Sequence, residues 1–158
     1  NMETSVKGIY AIGDVNAMQM LAHAAVFQGR RAINNILGIS DQIRFDIMPA
    51  AVFTYPEAGC VGKTEDTCKE ENLEYSIVKG YYRSNGRALS LNETEGMVKL
   101  IVDASDKIIG CHIYGAEAAD LVQEISSLMN LDITLSRFKD IIHTHPTLGE
   151  ILQDAVIG

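Results

Sequence analysis

Two histidines, a proline and a glutamate fall within eight residues in "HTHPTLGE", His143 to Glu150. Histidine is the side chain whose free titration lies nearest neutrality, so it can take up a proton and return it at working pH. To do so well it needs a partner on its other ring nitrogen, which selects the tautomer and supports the charged ring. Glu150 can be that partner for His145 if the chain turns sharply at Pro146, with a trans or a cis bond, and enters a helix at Thr147. The residues alone leave the alternatives open. Thr147 suits an N-cap and Glu150 the capping-box position three residues on, so the glutamate is either an orienting partner or only a helix cap. His145 is an acid–base or a turn residue. A metal reading would use His143 and His145 with Glu150 or His112, but no second ligand cluster is spaced to close such a shell.

A second candidate lies near the start. "GIYAIGD", Gly8 to Asp14, reads as a short buried strand stopped by Gly-Asp. A carboxylate released at a strand end beside glycine can accept hydrogen bonds from a ligand's hydroxyls; otherwise Asp14 caps or turns the chain. "MQMLAHAA", Met18 to Ala25, then opens a helix, whose N-terminus carries positive potential and could sit under an anionic or electron-rich ring. The plainer reading makes Met20 and Leu21 core and His23 a surface histidine.

The elements that must position these groups follow from periodicity. A helix is expected from Met18 to Leu37, with Leu21, Ala25, Gln28, Ala32 and Ile36 at helical spacing and Gly38 as its stop. "ISDQIRFDIMP" is a connector and the candidate boundary. β-Rich runs follow at 50–54, 58–62, 74–83, 87–91, 96–103 and 107–115. Val98, Leu100 and Val102 share one face, and "DASDK" turns the last two runs into a hairpin. A helix at Thr64–Glu71, with Thr64 as N-cap, interrupts the strands. The chain then turns helical: about Ala116 to Asn130, striped by Leu121, Ile125, Leu128 and Met129, then 134–140 and 147–156. Strands followed by helices, rather than alternating with them, mean an α+β fold with an antiparallel sheet flanked by helices.

Composition narrows the class. The chain has 158 residues, 47 % hydrophobic and 22 % charged, a globular balance long enough for one domain of ordinary size. A net charge of −8 argues against a nucleic-acid groove, which needs a basic face. No apolar run approaches a membrane span, and "NMETSVKG" lacks the pattern of a signal peptide. Asn1 ahead of Met2 reads as a tag remnant on a chain that begins mid-protein. Cys60, Cys68 and Cys111 form no C-x-x-C or C-x-x-x-x-C pair, which fits a reducing compartment, with Cys60 and Cys111 expected as small buried hydrophobes.

Taken together, "GIYAIGDV", "MLAHAA", "AAVFTYPEAGCVG", "NETEGMVKLIVDASDKIIGCHIYG" and "HTHPTLGE" resemble, in order and through nearly the whole chain, the dihydrolipoyl dehydrogenase branch of the flavin-dependent pyridine nucleotide–disulfide oxidoreductase family. The resemblance implies three parts: 1–38 as the C-terminal remnant of an FAD-binding domain (strand plus helix), 39–48 as connector, and 49–158 as the interface or dimerisation domain. It implies that Asp14 hydrogen-bonds the ribityl or ribose–phosphate portion of FAD and that Met20, Leu21, Ala22 and His23 lie along the flavin. It makes His145 the acid–base and Glu150 its orienting partner, and gives His143 no catalytic role. It implies a homodimer in which each active site takes its histidine from the opposite subunit, with NAD as electron acceptor. The dihydrolipoyl substrate would be carried by the acyltransferase of a 2-oxoacid dehydrogenase complex or by a glycine-cleavage carrier protein, in the cytoplasm or, in a eukaryote, the mitochondrial matrix. The family's G-x-G-x-x-G fingerprint, redox cysteine pair and nicotinamide domain have no counterpart here, and "NAMQ", Asn16 to Gln19, departs from its glycine–proline pattern. The isolated chain is therefore expected to be inactive, with no cofactor of its own. A glutathione reductase-type enzyme and a bare dimerisation module are the alternatives.

Overall fold

The computed structural model describes residues 1–157. The chain divides into two compact units, Asn1–Met48 and the portion from Pro49 onward.

In the first unit the apolar run before Asp14 does not become a buried strand. Tyr10 makes a single antiparallel bridge to Glu3, Ile9 and Ile12 stay exposed, and Gly13–Asn16 form a 3-10 turn. An extended segment is held as strand by neighbours that pair its backbone over its length, and here a short contact with Met2–Thr4 does so, through the Thr4 N–H to the Ile9 carbonyl and the Ala11 N–H to the Met2 carbonyl. Helix α1 spans Ala22–Leu37 and starts four residues later than its apolar spacing suggests, because Leu21 is still extended. Gly38 ends it in the left-handed conformation, as expected. The buried face is Ala24, Gln28 and Ala32, so Ile36 points outward.

Arg31 ties α1 to the segment after it. Its Nε donates to both Asp41 carboxylate oxygens at 2.8 and 3.0 Å, and its Nη2 donates to the Ile43 carbonyl at 2.7 Å. The hydrogen bond from Arg31, then that from Asn34, hold the Asp41 carboxyl down at about 2. A depressed carboxylate contributes its stability above its ordinary value and loses it as pH falls through the folded one. Between about pH 4 and about pH 2 the melting temperature of α1, followed by circular dichroism, should therefore fall further in the wild type than in Asp41→Asn.

The second unit is a five-stranded antiparallel sheet. Its strands are β1 (Ala50–Val52), β2 (Glu57–Gly62), β3 (Tyr75–Tyr81), β4 (Met97–Asp103) and β5 (Ile108–Gly115), in the order β1-β2-β5-β4-β3. The hairpin β4–β5 is its centre, and Val98, Leu100 and Val102 are buried on one face as their alternation requires. Helix α2 (Glu65–Glu70) carries the expected N-cap, Thr64, whose side chain accepts from the Thr67 N–H. Helix α4 (Ala118–Met129) packs on β1, β2 and β5, burying Leu121, Ile125 and Met129. After the short α5 (Leu135–Lys139), α6 (Glu150–Ile157) packs on β3 and β4 and buries Ile151, Leu152, Ala155 and Val156. Each such large apolar side chain taken out of water is worth roughly 1.5–3 kcal/mol. The close approach of α6 needs Gly80 in β3, since a Cβ there would lie 2.5 Å from the Ile151 carbonyl oxygen.

Three expectations are corrected. Residues 87–91 are helix, not strand: α3 spans Gly86–Leu91, capped by the Asn85 side chain at one end and by left-handed Asn92 at the other. A run of only five residues fits a helical turn as well as a strand, and the cap decides it. Helix α6 starts at Glu150 rather than Thr147. Cys60 is exposed on β2, whereas Cys68 and Cys111 are buried. No helix among the described residues is long and apolar enough to cross a membrane.

Candidate functional site

His145 and Glu150 meet. The ring Nδ1 of His145 lies 2.9 Å from Glu150 Oε1, across a turn whose His145–Pro146 bond is cis. The same carboxylate uses its other oxygen to accept from the Thr147 N–H at 2.8 Å. Glu150 thus satisfies a backbone donor just before α6 and at the same time faces the imidazole. The capping box is half-formed, because the Thr147 hydroxyl donates to the Thr144 carbonyl at 2.7 Å instead of capping the helix. These contacts hold the Glu150 carboxyl below the ordinary carboxylate range, the Thr147 N–H most and the His145 ring next. With the carboxylate on Nδ1, the tautomer with a proton there is favoured and Nε2 is left as the proton acceptor. The His145 side chain is 78 % exposed while Glu150 is 21 % exposed, so the imidazole faces outward on an inward-held carboxylate.

His143 does the opposite. Its side chain is 6 % exposed, with Nε2 2.9 Å from Glu124 Oε1 on α4, Nδ1 3.1 Å from the Ile141 carbonyl, and the ring edge-on to Phe138. His143 is seated inward while His145, two residues on, is exposed, so the segment between them is not a regular strand, in which residues two apart share a face. The two rings engage different carboxylates, and no group of three or more His, Cys, Asp or Glu suited to a metal occurs among the described residues.

In the first unit, Asp14 is exposed in the 3-10 turn, and Met20 and His23 are exposed either side of half-buried Leu21. Leu21 occupies the cap position of α1 and offers no side-chain acceptor to its first turn. Gln28 holds the turn from beneath: its Oε1 accepts from the Gly13 N–H at 2.7 Å and from Asn16 Nδ2 at 2.9 Å, while its Nε2 is buried without a partner among the described residues. An outward carboxylate, exposed Val15, Met18 and Met20, and a helix start without a side-chain cap suit one edge of a flavin with its hydroxylated chain.

The family model for the pyridine nucleotide-disulphide oxidoreductase dimerisation domain matches residues 48–156. The chain belongs to that family. Dihydrolipoyl dehydrogenase 2, mitochondrial, from Arabidopsis thaliana is 38 % identical over 156 residues, covering 98 % of this chain and 31 % of that protein. A dihydrolipoyl dehydrogenase from Bacillus subtilis is 44 % identical over 153 residues, covering 96 % and 33 %. The crystal structure of LpdA from Mycobacterium tuberculosis superposes with a TM-score of 0.90 at 27 % identity, covering 98 % of this chain and 34 % of that one. The chain spans about a third of the length of the curated relatives it matches. In this dimerisation domain the sequence reading missed Glu124 and Asn85. Glu124 leaves no local signal, being 19 residues from its partner, whereas Asn85 ahead of "GRALSL" is a cap signature open to recognition.

Removing Glu150 separates its two tasks. With His145 taken as the proton acceptor, Glu150→Ala in an active enzyme should lower turnover less than loss of His145 does, since it would take away orientation and charge support but leave the imidazole. Steady-state rates beside thermal midpoints check this. A variant that unfolds, while the folded remainder keeps its full rate, would make Glu150 a helix-start residue alone.

Proposed function

We propose that this chain supplies the acid–base pair and the subunit interface of a flavin-dependent dihydrolipoyl dehydrogenase, which reoxidises protein-bound dihydrolipoyl groups with NAD. The observation that carries this reading is the 2.9 Å contact between an outward His145 and a buttressed Glu150. The relatives' names support the branch.

Only a thiolate attacks a disulfide, and a free thiol near pKa 8.5 is mostly protonated at neutral pH. His145 Nε2 takes the proton from one dihydrolipoyl sulfur as that sulfur attacks the redox disulfide of the other subunit, forming a mixed disulfide and releasing one enzyme thiolate. The second dihydrolipoyl sulfur then gives its proton to the released enzyme thiolate and closes the lipoyl disulfide, and the proton held on His145 passes to the enzyme sulfur so freed, leaving the enzyme pair as a dithiol. Glu150 holds the His145 tautomer ready and stabilises the imidazolium that forms. FAD, when bound, carries the electron pair from that dithiol to NAD. Asp14 would hold its hydroxylated chain, and Met20, Leu21, Ala22 and His23 would line the ring, at a helix start that favours negative charge. No residue of this chain is assigned to NAD.

An exposed base that serves the neighbouring copy's disulfide needs a two-fold homodimer, in which the same patch meets itself. The lipoyl carrier is the acyltransferase of a 2-oxoacid dehydrogenase complex or a glycine-cleavage carrier protein, in the cytoplasm or the mitochondrial matrix. The deciding assay offers the flavin-loaded dimer dihydrolipoamide with NAD, and glutathione disulfide with a reduced nicotinamide. NAD reduction by dihydrolipoamide supports the proposal; turnover of glutathione disulfide alone gives the function to the glutathione reductase type.

A further inference from the structure

Asn85 stands at the end of the Tyr82–Ser84 turn and is 2 % exposed. One amide serves two elements. Its Oδ1 accepts from the Ala88 N–H at 2.9 Å and starts α3, while its Nδ2 donates to the Thr147 carbonyl, 62 residues away, at 3.1 Å. Thr147 is therefore gripped at both of its peptide groups: Asn85 takes the carbonyl and Glu150 takes the N–H. Glu150 in turn takes His145 Nδ1.

We infer that Asn85 is a positioning residue for proton transfer at His145, acting through Thr147 and Glu150; the inference rests on the proposed role of His145. The geometry favours asparagine over its neighbours in chemistry. A helix cap needs a short acceptor, and the Thr147 carbonyl needs a donor; a single planar amide offers both. Aspartate keeps the acceptor but turns a second oxygen on the Thr147 carbonyl. Serine keeps the capping acceptor and is too short for the tether.

The mounting is rigid. The Asn85 N–H donates to the Tyr82 carbonyl, and Tyr82 is fully buried with its hydroxyl donating to the Ala116 carbonyl at 2.8 Å. The Tyr82 ring fills the space above Gly115, where φ is +148° and a Cβ would lie 2.4 Å from its Cζ. The turn at exposed Pro146 and half-buried Thr147 is thus referred to the core by one buried side chain. That is the precision a general base requires, since a misplacement of about 1 Å can cost on the order of 100-fold in rate.

The test is a cycle of Asn85→Ser, His145→Gln and the double variant in the flavin-loaded dimer, with Asn85→Asp as the isosteric companion should serine unfold the domain. Turnover of dihydrolipoamide is read together with hydrogen exchange at the Thr147 amide. Asn85→Ser is expected to lower kcat roughly 10- to 100-fold, with little change in KM, and to speed exchange at Thr147. In the His145→Gln background the same substitution should change kcat by less than about twofold, because residues that act as a unit are not additive. An equal loss in both backgrounds, or no loss in either, overturns the inference and leaves His145 in place. If His145→Gln itself turns over normally, both the inference and the proposed role of His145 fall.

Discussion

Replacing His145 by glutamine should leave the flavin bound and slow dihydrolipoamide oxidation by roughly 10²–10⁴-fold, the usual worth of a positioned proton acceptor. The expectation follows from how this side chain is held. Its Nδ1 is committed to Glu150 at 2.9 Å, and the ring stands outward on the chain, so Nε2 is the nitrogen left for the proposed dihydrolipoyl sulfur. Glutamine approximates the size of the ring and can still bond to Glu150, but it cannot take up a proton near neutral pH. The loss should therefore fall on the rate of disulfide formation rather than on folding. Flavin absorbance, thermal midpoint and single-turnover rates measured on one preparation separate these effects. A lowered midpoint with a normal single-turnover rate would place His145 in the structure and outside the chemistry.

Phe138→Ala should have the largest effect on stability, about 3–5 kcal/mol, as for other fully buried aromatic side chains cut back to alanine. Phe138 is the buried residue of α5, 0 % exposed, and its ring meets His143 edge-on with centroids 5.6 Å apart. Truncation removes the transfer free energy of the ring and leaves a cavity beside His143. The melting temperature should drop on the order of 10 °C. Lys139→Ala, exposed on the same helix, should stay within about 0.5 kcal/mol. Equal midpoints for the two variants would mean that α5 is not part of the cooperative core.

Much of this was legible in the residues, for reasons that differ by element. The β4–β5 hairpin was readable because Val98, Leu100 and Val102 alternate and a turn sequence follows. The α4 stripe was readable because Leu121, Ile125 and Met129 recur at helical spacing, although Val122 and Ser126 widen the buried face. His145 and Glu150 were readable as a pair because only five residues separate them and a proline bends the chain between. What escaped depends on distant partners. "GIYAIGD" has the composition of a strand, but Tyr10 forms an isolated bridge with Glu3 rather than a ladder. "RALSL" fits either periodicity, and a side chain outside it, Asn85, makes it helix. Glu124 and Asn85 reach the histidine segment from α4 and from the start of α3, and no local pattern encodes either contact.

The most direct measurement is the pH dependence of the first sulfur–sulfur exchange in wild type and in His145→Gln. Without the imidazole the rate should follow the substrate's own thiolate, rising about tenfold per pH unit below the thiol pKa, so that the gap to the wild type closes toward pH ~9. A gap that stays constant across that range would contradict proton removal by His145.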